Sequence, residues 1–293
     1  MSNNANPANA VPTRISRFIL GFMDPEMRFI KAAVANHCPG IEVLTPVTGR
    51  DDPYSVAIAP QTGDVWIECA PAEGGKAAVK AAGGTVIDHH QPGDAGYGVT
   101  DPLLAYQASS AGQFCALAIG LGVIVAQDGE EVLVGEADHN FPAFIRGQCS
   151  TPAAEALRFH AKRSGVTVED IEAAQKVLFQ CPTLGGVEVG SETLGGVVDA
   201  RGEPSLSPAT MTAQGPVKGT GGFLGAATFL VASLPGATPV LNWGAQGTVP
   251  GKGRHVGILG DTALVDCKAI LTSIGATGIY GQPGRAWGGY IPV

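Results

Sequence analysis

The chain has 293 residues, of which 45% are hydrophobic and 15% charged, with 42 glycines and 21 prolines. That composition excludes an intrinsically disordered protein and gives room for two folded domains. A net charge of −8 excludes a sequence-independent binder of long duplex DNA, which needs a basic face, but suits a small anionic substrate held at a cation.

Residues 1–13 are polar and rich in Asn, Ala and Pro, without the apolar core of a signal peptide, and a flexible tail is expected over 1–14. The six cysteines, at 38, 69, 115, 149, 181 and 267, form no Cys-x-x-Cys pair. Free thiols in a reducing compartment are expected, with no zinc knuckle and no redox motif. The longest apolar runs, 114–126 and 223–234, are too short to span a bilayer. A cytoplasmic protein without membrane contact is expected.

Arg17 to Gly21 reads as a first buried strand, followed by Asp24-Pro25-Glu26 and a helix over about 27–36. Pro25 suits a first helical turn. Asp24 and Glu26 stand at a strand end and a helix N-terminus, where acids also stabilise the helix dipole. Residues 41–44 form a second strand, and Asp51-Asp52 read as a cap or solvated turn. A third strand, 63–69, ends in Glu68, and a helix over about 73–82 leads to a strand over 84–87. That strand stops at Asp88-His89-His90, followed by the breakers Pro92, Gly93, Gly96 and Gly98. A carboxylate beside two imidazoles at a strand end is a plausible part of a divalent-metal site. Residues 101–122 read as an Ala- and Ser-rich helix. Residues 131–135 read as a strand that ends in Glu136-Ala137-Asp138-His139. His139 reads either as a further ligand or as a loop imidazole capping a backbone group. The alternation of strands and helices predicts an α/β fold with a mostly parallel sheet. Four acidic strand ends, Asp24/Glu26, Glu68, Asp88 and Asp138, are in an order that such a sheet would bring to one edge.

Val86-Ile87-Asp88-His89-His90 resembles the signature of the DHH phosphoesterase superfamily, which includes RecJ-type nucleases, oligoribonucleases, cyclic-dinucleotide phosphodiesterases and manganese pyrophosphatases. The resemblance implies a metal site built from Asp24, Glu26, Glu68, Asp88 and Asp138, with His139 as an added candidate. Asp88, His89 and His90 would be the catalytic group. Asp24-x-Glu26 stands for the family's D-x-D pair, Glu68 for an Asp, and Ser109-Ser110-Ala111 for a Ser-rich helix. The family's His just upstream of the D-x-D pair is missing.

Residues 151–180 look helical, with a helix start at Thr151-Pro152-Ala153 and amphipathic spacing over 168–178. Residues 199–222 are rich in Gly, Pro, Ser and Thr. Beyond them lie an apolar element over 223–234 and short strands over 238–242 and 255–259. Residues 205–293 carry Lys218, Lys252, Arg254, Lys268 and Arg285 against Asp261 and Asp266, an excess of positive charge that suits phosphate. The run from Gly275 to Gly289 is similar to the glycine-rich segment of the substrate-binding domain that follows many DHH domains. Here Gln282 stands where that segment has His. By this resemblance Arg254, His255, Gly281, Gln282, Gly284 and Arg285 are candidates for binding substrate, since glycines let backbone N–H groups approach a phosphate.

The expected organisation is a tail over 1–14, a DHH-like metal-binding domain over 15–195, a linker over 196–222 and a smaller α/β substrate-binding domain over 223–293. The resemblance implies an Mn2+- or Mg2+-dependent phosphoesterase acting on a short oligonucleotide, a cyclic dinucleotide or a nucleoside bisphosphate in a cleft between the domains. A homo-oligomer is expected. The alternative is a DHH-fold chain without hydrolytic activity, serving as a nucleotide-binding or self-assembling subunit. The missing His and Gln282 both point that way.

Overall fold

The computed structural model describes residues 14–48, 51–122, 129–180, 183–184, 217–221, 230–234, 240–249, 251–259, 266–273, 275–281 and 287–292. The chain divides into two compact units between His139 and Asn140.

The first unit is built on a parallel sheet. Strand β1 (Arg17–Leu20) leads into helix α1 (Pro25–His37), then β2 (Glu42–Leu44), β3 (Asp64–Ile67), α2 (Gly75–Ala81) and β4 (Thr85–Ile87). The strands lie in the order β2-β1-β3-β4, and each neighbouring pair is parallel. Because side chains alternate along a strand, β1 feeds two cores. Phe18 and Leu20 join Met27 and Ile30 of α1 and Phe114 on one face, while Ile19 joins Val47, Trp66 and Val79 on the other. The sheet is therefore covered on both faces, as parallel sheets require. The strand order reverses between β1 and β3, and the C-terminal ends flanking such a reversal form the crevice where α/β sheets bind ligands.

Asp51 and Asp52 act as expected in a local turn. Asp51 Oδ2 accepts from the Thr48 N–H at 3.1 Å, and Asp52 Oδ1 from the Tyr54 N–H at 2.9 Å.

The helix expected over 101–122 is divided. A 3-10 turn, Pro102–Leu104, runs into α3 (Ala105–Ala108), and α4 (Ser110–Gly120) follows. Ser109 breaks the run with an extended backbone (ψ 162°), and its hydroxyl caps α4 by accepting from the Gly112 N–H at 3.1 Å. Capping by Ser stabilises a new helix start more than continuation would. The strand expected over 131–135 is replaced by helix α5 (Glu130–His139). Its buried residues are Glu131, Val134, Gly135, Glu136 and His139, so tertiary packing, and not an apolar period, overrides the β-branched composition.

The second unit contains α6 (Phe141–Ile145), α7 (Ala153–Ser164) and α8 (Val168–Gln180), in agreement with the helical reading of 151–180. Its sheet joins β5 (Thr183–Leu184), β6 (Val217–Gly221), β7 (Val240–Val249), β8 (Gly253–Leu259), β9 (Thr277–Gly281) and β10 (Trp287–Ile291) in the order β5-β6-β7-β8-β10-β9. Only β6 and β7 pair in parallel. The strand expected over 238–242 is thus the start of a longer strand. Helix α9 (Cys267–Ser273) packs Cys267, Ile270 and Leu271 against Leu241, Val256, Ile258 and Ile291 of the sheet. Of the expected linker, only β6 is among the described residues.

Among the described residues, no helix is long and apolar enough to cross a membrane. The described cysteines, 38, 69, 115, 149 and 267, are free thiols.

Candidate metal centre

The three strands β1, β3 and β4 end at one edge, and their following residues carry the site. Gly21 donates its N–H to the Ile67 carbonyl at 2.8 Å, and Glu68 donates its own to Ile87 at 2.9 Å. Glu68 has φ 52°, the only non-glycine residue with positive φ among those described. The left-handed conformation costs energy for any residue with a Cβ, and such strain collects at functional sites. Gly21 makes it possible, because a Cβ there would run into the Glu68 carbonyl.

Ligand atoms of Glu68, His89, His90 and Asp138 lie within 4.8 Å of one another. His89 is at the centre of this group and fully buried. Its Nε2 is 3.0 Å from Glu68 Oε1 and 3.1 Å from Asp138 Oδ2. Burial alone would lower the His89 pKa, but the hydrogen bonds and charges of Asp138 and Glu68 outweigh it and raise it to about 9. The imidazole is a cation between two carboxylates in the absence of metal.

Asp88 supports the pair from behind. Its Oδ1 accepts from the backbone N–H groups of His89 (2.7 Å) and His90 (3.0 Å) and lies 2.9 Å from His90 Nδ1. Its Oδ2 receives the Tyr54 hydroxyl at 3.1 Å and Lys76 Nζ at 2.8 Å. Burial opposes ionisation of this carboxyl, but His90 and Lys76 reverse the effect and hold it below the usual carboxylate range. The same Asp88 contact raises the His90 pKa against the effect of burial. A carboxylate that binds the far nitrogen of a histidine fixes the ring and leaves the other nitrogen for a ligand.

Asp24 and Glu26 come to the same edge. Asp24 Oδ1 caps α1 by accepting from the Met27 N–H at 2.8 Å. Burial, then the negative charges of Asp138 and Glu68, raise its pKa to about 8. Glu26 is fully buried, with Oε1 accepting from the Ala111 N–H at the start of α4 at 2.7 Å. Its Oε2 is buried without a hydrogen-bond partner among the described residues, and burial together with Asp138 and Glu68 pushes its pKa well up. Burial and the neighbouring acids thus push both Asp24 and Glu26 toward their neutral forms.

His139 lies behind His89, with Nδ1 at 2.9 Å from His89 Nδ1 and Nε2 at 3.0 Å from the Val99 carbonyl. Asp138 and His139 reach the site from the C-terminal turn of α5 instead of from a strand end. Glu68, His89, His90 and Asp138 are thus brought together as candidate ligands. Asp88 and His139 stand one layer back, and Asp24 and Glu26 lie close enough for their charges to couple to the cluster.

Tyr54 and Lys76 were not singled out in the sequence. Lys76 also binds Asp94 Oδ1 at 2.7 Å and lies 4.9 Å over the Tyr54 ring. No local spacing links either residue to Asp88, so no sequence pattern would have revealed them.

Of the substrate-binding candidates, Gln282, Gly284 and Arg285 lie outside the described residues. Gly281 ends β9 with φ 140° against Trp287, and Arg254 pairs through its backbone with Ile291. His255 Nε2 is 2.7 Å from the Tyr280 hydroxyl.

No family model, curated protein or solved structure matches this chain. The functional reading therefore rests on the residues themselves.

Proposed function

We propose that this chain is a divalent-metal-dependent phosphoesterase of the DHH type, acting on a small phosphodiester or phosphoanhydride such as a short oligonucleotide, a cyclic dinucleotide or a nucleoside bisphosphate. The observation that carries this reading is the group of ligand atoms from Glu68, His89, His90 and Asp138 within 4.8 Å, placed at the reversal point of a parallel sheet. Two carboxylates and two imidazoles form a donor set that fits a divalent first-row ion. The orphaned Glu26 Oε2 and the raised Asp24 and Glu26 pKa values fit a site that gains from an added cation. We favour Mn2+ over Mg2+, since Mg2+ seeks oxygen ligands.

A bound ion would supply a water of lowered pKa and polarise the phosphoryl oxygen. His90 is the member of the cluster open to solvent, with 43% of its side chain exposed. Its Nδ1 is tied to Asp88, so Nε2 is the nitrogen it would give to the ion. Asp24 holds the start of α1, and Glu26 joins α1 to α4 through Ala111.

The competing reading is a chain that binds a nucleotide without hydrolysing it. The structural engagement of Asp24 as a cap and of Glu26 at Ala111 favours it, because both acids already have work. A hydrolysis panel with added Mn2+ decides between the two: a generic phosphodiester, di- to pentanucleotides, cyclic dinucleotides and pyrophosphate. Turnover lost in Asp138→Asn and on chelation supports the enzyme. Absence of turnover on every substrate, with Mn2+ bound by calorimetry, overturns it in favour of binding alone.

A further inference from the structure

We infer that His139 is a positioning residue that sets the tautomer of His89 and so presents His89 Nε2, unprotonated, to a cation. The inference rests on the metal reading above for its purpose but not for its geometry.

Donor and acceptor roles along these contacts decide where the protons sit. The Val99 carbonyl can only accept. The 3.0 Å contact from His139 Nε2 to that oxygen therefore requires a proton on Nε2. A neutral His139 then has a lone pair on Nδ1. The 2.9 Å contact between His139 Nδ1 and His89 Nδ1 needs one proton between the two nitrogens, and His89 supplies it. With Nδ1 of His89 committed as a donor, its neutral form has its lone pair on Nε2. That atom faces Glu68 Oε1 and Asp138 Oδ2, where a cation shared with the carboxylates would sit. Once Nε2 is given to a cation, this is the one arrangement of protons that satisfies both contacts.

The remaining groups around the pair agree with this direction. Both rings are almost fully buried, so water does not replace a lost partner cheaply. The rings stack at a centroid distance of 5.1 Å and an interplanar angle of 26°, which limits rotation of His89 about its own axis. Val99 belongs to the loop that follows the His pair, and His139 ends α5. The relay thus ties that loop to the helix that carries Asp138.

The test separates positioning from bulk and from the metal reading. Asn places an amide oxygen near the position of the His Nδ1, whereas Gln places its amide near that of Nε2. In the full chain, His139→Gln is expected to weaken Mn2+ binding about 10- to 100-fold, the usual range for a lost partner behind a metal-bound histidine. His139→Asn is expected to recover most of that loss. Mn2+ binding is read from the electron paramagnetic resonance signal of the free ion. Nitrogen-15 correlation spectra of the imidazoles in the wild-type chain give the second readout. With or without Zn2+ as a diamagnetic probe, His139 should appear as the neutral Nε2–H form. With Zn2+, His89 should appear as the Nδ1–H form.

An Nδ1–H or doubly protonated His139 overturns the inference, whatever the variants do. Equal Mn2+ affinity in His139→Gln and wild type also overturns it. If wild type binds no metal while His139 is Nε2–H, the metal reading fails and the relay stands as a structural feature of this edge.

Discussion

Five hydrogen bonds converge on the two oxygens of Asp88, from two backbone N–H groups, the His90 ring, Tyr54 and Lys76. An oxygen so occupied has little left for a cation, whereas Asp138 shares its edge with His89 Nε2. The two acids should therefore respond differently to loss of charge. Asp88→Asn leaves Lys76 facing an amide in place of a carboxylate. It should cost about 3 kcal/mol of stability, as for other broken buried pairs, and about 10-fold in Mn2+ affinity through misplaced imidazoles. Asp138→Asn should abolish measurable Mn2+ binding, and it should cost the metal-free fold less than Asp88→Asn does, because Glu68 still faces His89 Nε2. Urea unfolding and calorimetric titration of both variants measure the contrast. Loss of all binding in Asp88→Asn, with stability intact, would make Asp88 a direct ligand. At this scale the triplet Asp88-His89-His90 was legible because its residues are contiguous. The division of labour within it was not, since it is decided by Tyr54 and Lys76, which lie far from the triplet in sequence.

Helix α5 shows how an element places a functional residue through what it lacks. Gly135 lies in its interior, and a Cβ there would collide with Ser109 Oγ and approach the Tyr106 ring. The absence of a side chain lets α5 close on the α3–α4 junction and bring Asp138 to the sheet edge one turn later. Helix propensity predicts the opposite preference, since Ala is favoured over Gly by about 1 kcal/mol in a helix interior. Overpacking of a tight contact costs about 1–3 kcal/mol, so the packing effect should win. Gly135→Ala is expected to lower the thermal midpoint and weaken Mn2+ binding. Gly120→Ala, near the end of α4 with open space around its Cβ position, should be neutral or stabilising by up to about 1 kcal/mol. Thermal unfolding of the two variants side by side checks the sign, and a stabilised Gly135→Ala would refute the close-contact account. The run Glu131-Val132-Leu133-Val134-Gly135 reads as a strand on composition. The buried positions 131, 134, 135 and 139 have helical spacing, but three of them are Glu131, Gly135 and His139, so no apolar period announced the helix in the sequence. The strands β1, β3 and β4 were legible because short apolar runs bounded by glycine and acid have few alternatives. The split of residues 101–122 was not, since it turns on one serine whose hydroxyl prefers a cap to a helix interior.

At the scale of the whole sheet, its two ends do different work. The C-terminal ends of β1, β3 and β4 gather groups that repel one another, while the N-terminal ends of β1 and β3 carry a clamp. Arg17 and Asp64 are paired in register, with Nε to Oδ1 at 2.7 Å and Nη2 to Oδ2 at 2.9 Å. The Asp64 side chain is fully buried and also accepts from the Gln61 N–H and the Trp66 indole. The alternation of strand and helix made this parallel sheet legible in the sequence. The clamp was not, because a bidentate pair across two strands depends on register, and one residue of slip would turn the two side chains to opposite faces. Burial raises the Asp64 pKa, but the Arg17 hydrogen bonds and charge, with the Gln61 N–H, outweigh it and leave the carboxyl below its ordinary value. With the folded pKa below the unfolded one, the unfolded chain takes up the proton first as the pH falls. The stability contributed by the pair is therefore complete above about pH 4, the ordinary carboxylate value, and is lost as the pH falls through the folded value. Arg17→Met removes the cation and leaves a buried carboxylate. It should cost about 3 kcal/mol at pH 7, at the low end for a buried pair because Arg17 keeps an edge in solvent. The same variant should lose less stability than wild type between pH 5 and pH 3, because without Arg17 the effect of burial moves the folded Asp64 pKa upward, toward or past the unfolded one. Denaturant unfolding at those pH values, with Asp64→Asn as the companion, measures both effects. An acid limb unchanged in both variants would remove the clamp from the account of stability and leave the sheet to its apolar cores alone.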